Sequence, residues 1–187
     1  MALGVSSILV ISDSHGNMPA LKAVLGWACK ASTEQKLKFD SAIFLGDGAD
    51  DLAPASAQTG FDVPWYIVRG NVDTNFSLPG FLVLETFQRR LFLAHGNIHG
   101  VNEGVRAIAA AAESAGAEAA LFGHTHTPHC SMQNGIFLLN PGSIGRSRSD
   151  AGPTFAVLEC PDSAPLRARF FHLVRKDGKI DVEEMQV

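Results

Sequence analysis

Five short polar clusters, each set directly behind an apolar run, constrain this chain more than any other feature. They are Asp13-Ser14-His15, Gly46-Asp47, Gly70-Asn71, His95-Gly96 and Gly123-His124-Thr125-His126. The runs before them, near 5–12, 41–45, 63–68, 91–94 and 119–122, are aliphatic and β-branched and read as buried strands. Side chains delivered from the carboxyl ends of several strands converge on one crevice in α/β proteins. The clusters recur every 24–34 residues, the span that a strand, a return connection and another strand require. Together they offer two carboxylates, four imidazoles and one amide, so a two-metal hydrolase is the reading this pattern favours.

Asp13 and His15 stand two apart, as do His124 and His126, and in extended backbone such pairs share a face. Carboxylate, imidazole and amide donors without a thiolate suit Mn, Fe, Zn or Ni. Seven donors exceed the needs of one tetrahedral zinc. If Asp47 is shared, they divide as four contacts on each of two ions. Taken singly, each cluster has a plainer reading: an aspartate after a strand is a cap, a loop histidine is a surface residue, Gly-Asn is a turn. All five together, in order and at strand ends, do not reduce to those.

The remaining sequence sets the frame. A chain of 187 residues fits one domain, 1–187, with a core that needs no staple. Apolar residues at 46% against 18% charged indicate a globular protein. A net charge of −4 speaks against sequence-specific nucleic-acid binding, yet bound cations would reverse the local field for a small phosphate substrate. Cys29, Cys130 and Cys160 form no ligand or disulfide pattern. No stretch reads as a signal or membrane span, so the expected location is cytoplasmic, with no membrane partner.

Strand–helix alternation in the first half, including a helix over about 19–30, gives way to successive strands in the second. A polar hairpin tip is expected at 88–90, and a helix capped by Asn102 that runs to about 114. Strands follow near 128–132, 136–139, 154–158 and 166–173, the first two joined by an Asn134-Gly135 hairpin. A turn at Asp177-Gly178 leads into a short charged tail. The pattern predicts an α/β (α+β) protein of two mixed β-sheets packed together with helices outside.

In order and spacing, Asp13-Ser14-His15, Gly46-Asp47-Gly48-Ala49-Asp50, Gly70-Asn71-Val72-Asp73, His95-Gly96 and Gly123-His124-Thr125-His126 resemble the motifs of the calcineurin-like metallophosphoesterases. Asn140-Pro141-Gly142-Ser143 is similar to a further element of the small prokaryotic, YfcE-type phosphodiesterase branch. The resemblance spans about 5–160 and implies a four-layer αββα sandwich. It further implies one metal on Asp13, His15, Asp47 and His126 and a second on Asp47, Asn71, His95 and His124, with Mn the metal most associated with this branch. Asp50 and Asp73 match positions that orient ligands rather than bind metal. Asp47, Asn71 and His95 are the expected catalytic positions, and no organic cofactor is expected. Two such ions activate a shared hydroxide for in-line attack on a phosphodiester. The alternatives are a phosphomonoesterase acting on a small metabolite or nucleotide, and a non-catalytic scaffold like the retromer subunit of this fold. That subunit lacks the first-motif histidine, which is present here as His15.

The chain departs from the pattern of the family it resembles at Val72, where many members carry His and this branch often Cys; valine can move no proton. It departs again at Asn97, where His often follows His95-Gly96, although His99 lies two residues further on. Arg69 reads as a supporting or surface residue. Arg146 and Arg148 lie in a serine-rich loop that either stays solvated or overhangs the site as a phosphate clamp. Phe76 and Phe81 leave room for a homo-oligomer.

Overall fold

The strands read as unbroken apolar runs because both of their faces are covered. The computed structural model describes residues 5–34 and 36–186. In strand β1 (Val5–Ile11), Leu9 and Ile11 enter one apolar layer while Ile8 and Val10 enter another. In β5 (Arg89–Ala94), Leu91 and Leu93 join that second layer, and Phe92 and Ala94 face a third. Strands with two dry faces lose the polar–apolar alternation of a half-exposed sheet.

The other elements are α1 (Met18–Thr33), β2 (Phe39–Phe44), α2 (Leu52–Thr59), β3 (Trp65–Ile67), β4 (Phe81–Thr86), α3 (Arg106–Ser114), β6 (Ala119–Leu121), β7 (Pro128–Gln133), β8 (Ile136–Pro141), β9 (Thr154–Pro161), β10 (Arg167–Lys176) and β11 (Lys179–Glu184). One sheet has the order β11-β10-β9-β1-β2-β3, the other β4-β5-β6-β8-β7. Both are mixed: β1, β2 and β3 are parallel, as are β5, β6 and β8, and the remaining pairings are antiparallel. Leu21, Leu25, Leu52 and Ala55 of α1 and α2 cover the outer face of the first sheet. Ile108, Ala109 and Ala112 of α3 cover the outer face of the second. The layers therefore run helix, sheet, sheet, helix, as expected.

The parallel strands of both sheets end at one edge of the sandwich. Asp13 N–H donates to Gly46 O at 3.0 Å, and Gly123 N–H to His95 O at 2.9 Å. Across the sheets, Ile144 N–H donates to Ser12 O at 3.3 Å. Four of the five clusters thus leave neighbouring strand ends β1, β2, β5 and β6, and Asn71 follows β3 closely.

Four local expectations change. Helix α2 was not foreseen, because its residues include Pro54 and four small side chains and lack an apolar stripe. Helix α3 begins at Arg106, not at Asn102, since 96–104 coils through turns such as Glu103 N–H to Gly100 O at 2.9 Å. The first hairpin turns on Phe87 and Gln88, both at positive φ (49° and 58°), so Arg89 and Arg90 belong to β5. A two-residue turn with both centres left-handed matches strand twist, and packing of the Phe87 ring against the layer between the sheets offsets its backbone cost. The charged tail is β11, paired with β10 from Phe171↔Glu184 to Lys176↔Lys179. Among the described residues no helix is long and apolar enough to cross a membrane.

Leu121 is fully buried between the sheets, two residues before the Gly123-His124 turn. Leu121→Ala should lower unfolding free energy by about 2–5 kcal/mol, read from the urea midpoint.

Candidate metal centre

Where each strand stops, the chain must turn sharply and still aim a polar side chain into the cleft. It does so through left-handed backbone at Asp13 (φ 55°), His15 (45°), Asp47 (61°), His124 (69°) and His126 (60°). For residues other than glycine that conformation costs about 1–2 kcal/mol each, and such strain collects at functional sites. The i, i+2 pairs therefore converge through left-handed turns beyond the strands, which corrects the expectation of shared faces on extended backbone. Glycines let these turns interlock. A Cβ on Gly70 would strike the Asp47 carboxylate, and one on Gly123 would strike the Ser12 hydroxyl and lie 2.7 Å from Asp13 Oδ2.

Both carboxylates divide their oxygens. Asp13 Oδ2 accepts from Ser12 Oγ at 2.5 Å and His124 N–H at 3.1 Å. Its Oδ1 is buried with no hydrogen-bond partner and lies 3.1 Å from His126 Nε2 and 3.7 Å from His15 Nε2. Asp47 Oδ1 accepts from Val72 N–H at 2.9 Å. Its Oδ2 faces His95 Nε2 at 3.4 Å and His15 Nε2 at 3.7 Å. One oxygen of each is spent on the fold and the other is left for the cleft.

The imidazoles are set in the same way. His95 Nδ1–H donates to Leu45 O and His126 Nδ1–H to Arg146 O, each at 2.7 Å. With Nδ1 as donor, the neutral ring turns an Nε2 lone pair inward. His15 Nε2 and His126 Nε2 lie 3.2 Å apart; His95 Nε2 lies 3.2 Å from His124 Nδ1 and 3.1 Å from Asn71 Oδ1. Donor atoms about 2.0–2.2 Å from a common ion stand about 3–3.5 Å from one another. Converging lone pairs and an orphaned buried carboxylate oxygen are the signs of a cation site, and Asp13–His15–His126 and Asp13–Asp47–His95 each form a group able to hold a metal.

Burial would raise the Asp13 and Asp47 carboxyls, yet the surrounding imidazoles hold both below the usual carboxylate range. His126 is drawn up by Asp13, and His95 is drawn up by Asp47 and Asp13 against its own burial. Burial and the nearby His95 charge push His124 down. The carboxylates stay ionised and attract protons onto the rings, and a divalent cation would compete for those same lone pairs.

Supporting residues surround this cluster. Asp73 accepts four backbone N–H bonds, from Asp47 (2.9 Å), Gly48 (2.7 Å), Ala49 (3.0 Å) and Gly70 (2.8 Å), and so staples the Asp47 and Asn71 loops together. Asp51, not singled out from the sequence, accepts from Ser14 Oγ at 2.8 Å and Gly16 N–H at 3.1 Å. Asn140 donates to Gly123 O at 2.8 Å, and Ser143 donates to Asp13 O at 2.8 Å, which gives the Asn140–Ser143 element its task. Two other candidates lie apart: His99 packs edge-on against Phe92 at 5.6 Å, and the Arg69 guanidinium covers the Phe76 ring at 4.8 Å. Asp50 and Arg146 line a cleft of about 400 Å3 together with His15 and Val72.

Asp73→Ala should leave four backbone donors without their acceptor, lower stability by roughly 2–4 kcal/mol and weaken any divalent-metal uptake about 10–100-fold. Urea unfolding and metal titration measure the two effects separately.

A family model described as the calcineurin-like phosphoesterase superfamily domain matches residues 7–163. The chain is 27% identical over 158 residues to the probable metallophosphoesterase YsnB of Bacillus subtilis, covering 84% of this chain and 86% of that one. It is 25% identical over 166 residues to phosphodiesterase YfcE of Escherichia coli K12, covering 81% and 86%. Vps29 of Chaetomium thermophilum shares the fold, with a TM-score of 0.71, 20% identity and 96% of each chain covered. With a strand-end cluster suited to metal and a family match across most of its length, this chain belongs to the calcineurin-like phosphoesterase superfamily.

Proposed function

We propose that this single-domain chain is a metal-dependent phosphodiesterase that hydrolyses small phosphoesters by in-line attack of water. Asp13, His15, Asp47 and His126 would hold one divalent ion, and Asp47, Asn71, His95 and His124 the other. Mn is the first choice, with Fe, Zn or Ni compatible with the same donors. The reading rests on one observation: Asp47 Oδ2 stands within 3.4–3.7 Å of an imidazole nitrogen from each donor set. Bound ions would supply a water of lowered pKa and neutralise charge on phosphorus.

The chain's own residues do the rest. Leu45 O and Arg146 O hold the Nδ1–H of His95 and His126, so these rings, when their Nε2 atoms hold a metal, would carry no inward proton to give. The Val72 N–H holds Asp47 Oδ1 and so leaves Oδ2 to the cleft, while its exposed side chain stands in the cleft with no proton to donate. Asp50 shares that cleft. The leaving oxygen therefore departs without a proton from Val72, His95 or His126. The phosphomonoesterase reading draws support from the exposed Arg146 in the cleft, which suits a dianion. The Vps29 likeness supports the fold alone, and because a Vps29 of Entamoeba histolytica has been solved with zinc, turnover rather than metal binding separates the hydrolase from a scaffold. The reading places the protein in the cytoplasm, with no membrane or nucleic-acid partner and with a homo-oligomer still to be tested by sedimentation.

Reconstitution with Mn, Zn, Ni or Fe, followed by a panel of phosphodiesters and monoesters, tests the activity. Turnover should appear with metal and fall more than about 100-fold in Asp47→Asn; no turnover with any of these ions rejects the hydrolase. Rates should fall steeply as leaving-group pKa rises. Val72→His should recover part of the roughly 10²–10⁴-fold that a general acid supplies, chiefly for poor leaving groups. A flat dependence with chemistry rate-limiting would sink the unassisted-departure mechanism.

A further inference from the structure

We propose that Arg146 grips the phosphoryl oxygens of the substrate; this deepens the hydrolase reading and rests on it. Arg146 lines the cleft it shares with His15, Gly48, Asp50, Val72 and Thr74. Its main chain is tied into the centre at both ends. The N–H donates to Ser143 Oγ at 2.8 Å, and that hydroxyl donates to Asp13 O at 2.8 Å. The carbonyl accepts from His126 Nδ1 at 2.7 Å, and Arg148 N–H donates back to His126 O at 3.0 Å. The loop carrying Arg146 is thereby held in register with two of the residues proposed to bind metal.

The side chain is free to act. Among the described residues, arginine ion pairs involve Arg89, Arg90 and Arg169, and Arg146 enters none. This holds although Asp51 and Asp73 line the same cleft. Asp73 is occupied by four backbone amides, and Asp51 by Ser14 and Gly16. A guanidinium keeps its charge at any working pH and presents a fork that fits two oxygens of a phosphate. Val72 offers no side-chain hydrogen bond, and the carboxylates of the lining repel an oxyanion. That leaves Arg146, among the described residues, as the one permanent cation lining this cleft. Arg148 is exposed but lies outside the lining, which makes it the natural control.

Calorimetric titration of inorganic phosphate into the Mn-loaded full chain tests this for wild type, Arg146→Ala, Arg146→Lys and Arg148→Ala. Arg146→Ala should bind phosphate roughly 10–100-fold more weakly, Arg146→Lys should fall in between, and Arg148→Ala should stay within about threefold of wild type. Mn content should be equal in all four. Unchanged affinity in Arg146→Ala, loss of Mn from that variant, or no phosphate uptake by wild type each overturns the assignment. If wild type turns over phosphoesters while Arg146→Ala binds phosphate normally, the grip fails and the hydrolase stands. If Arg146-dependent phosphate binding occurs without turnover of any ester, the hydrolase fails and the grip stands.

Discussion

Two buried carboxylates, each split between the protein and the cleft, set the geometry on which the rest of the structure depends. Asp13 gives one oxygen to Ser12 and His124 N–H and leaves the other without a donor. Asp47 gives one to Val72 N–H and turns the other toward His95 and His15. Burying an anion with an unsatisfied oxygen is costly unless a positive partner is close. The imidazoles supply that partner in part, and a divalent ion would do so fully. The centre is thus built as a liability that ligand binding relieves.

Holding that liability in place takes rigidity from elsewhere. Five of the seven donor residues adopt left-handed backbone, and lone pairs converge from facing rings. Three apolar layers anchor the strand ends from which these turns spring. Asp73 then joins two of the five loops through one carboxylate, and Ser143 and Asn140 brace two more. The centre thus has two groups of residues, the candidate donors and those that position them. The second group is also what separates an open cleft with a preset donor array from a floppy cluster of polar loops.

The donor residues were legible in the sequence because each chemical type stands alone behind an apolar run. Their manner of convergence was not. Pairs such as Asp13 and His15 read as neighbours on an extended strand, whereas the chain has already left the strand and turned left-handed there. The role of Asp51 was invisible, since its partners Ser14 and Gly16 lie 37 and 35 residues away. Helix α2 was missed because small residues and Pro54 carry no periodic signal; its burial against α1 decides it. Asn102 has the side chain of a cap, but the coil behind His95 uses up the residues around it, and α3 starts later.

By itself, the order of residues determined the two-faced apolar strands, the turn chemistry at Asn134-Gly135 and Asp177-Gly178, and which seven side chains could bind metal. These are local properties, fixed by side-chain type and period. Only the tertiary structure decided that Asp47 faces both His15 and His95, that Arg146 is tied to His126 and enters no ion pair among the described residues, and that the charged tail closes the larger sheet as its edge strand. Those outcomes depend on the distance and orientation between segments up to 130 residues apart, which pattern and propensity do not encode and packing alone sets.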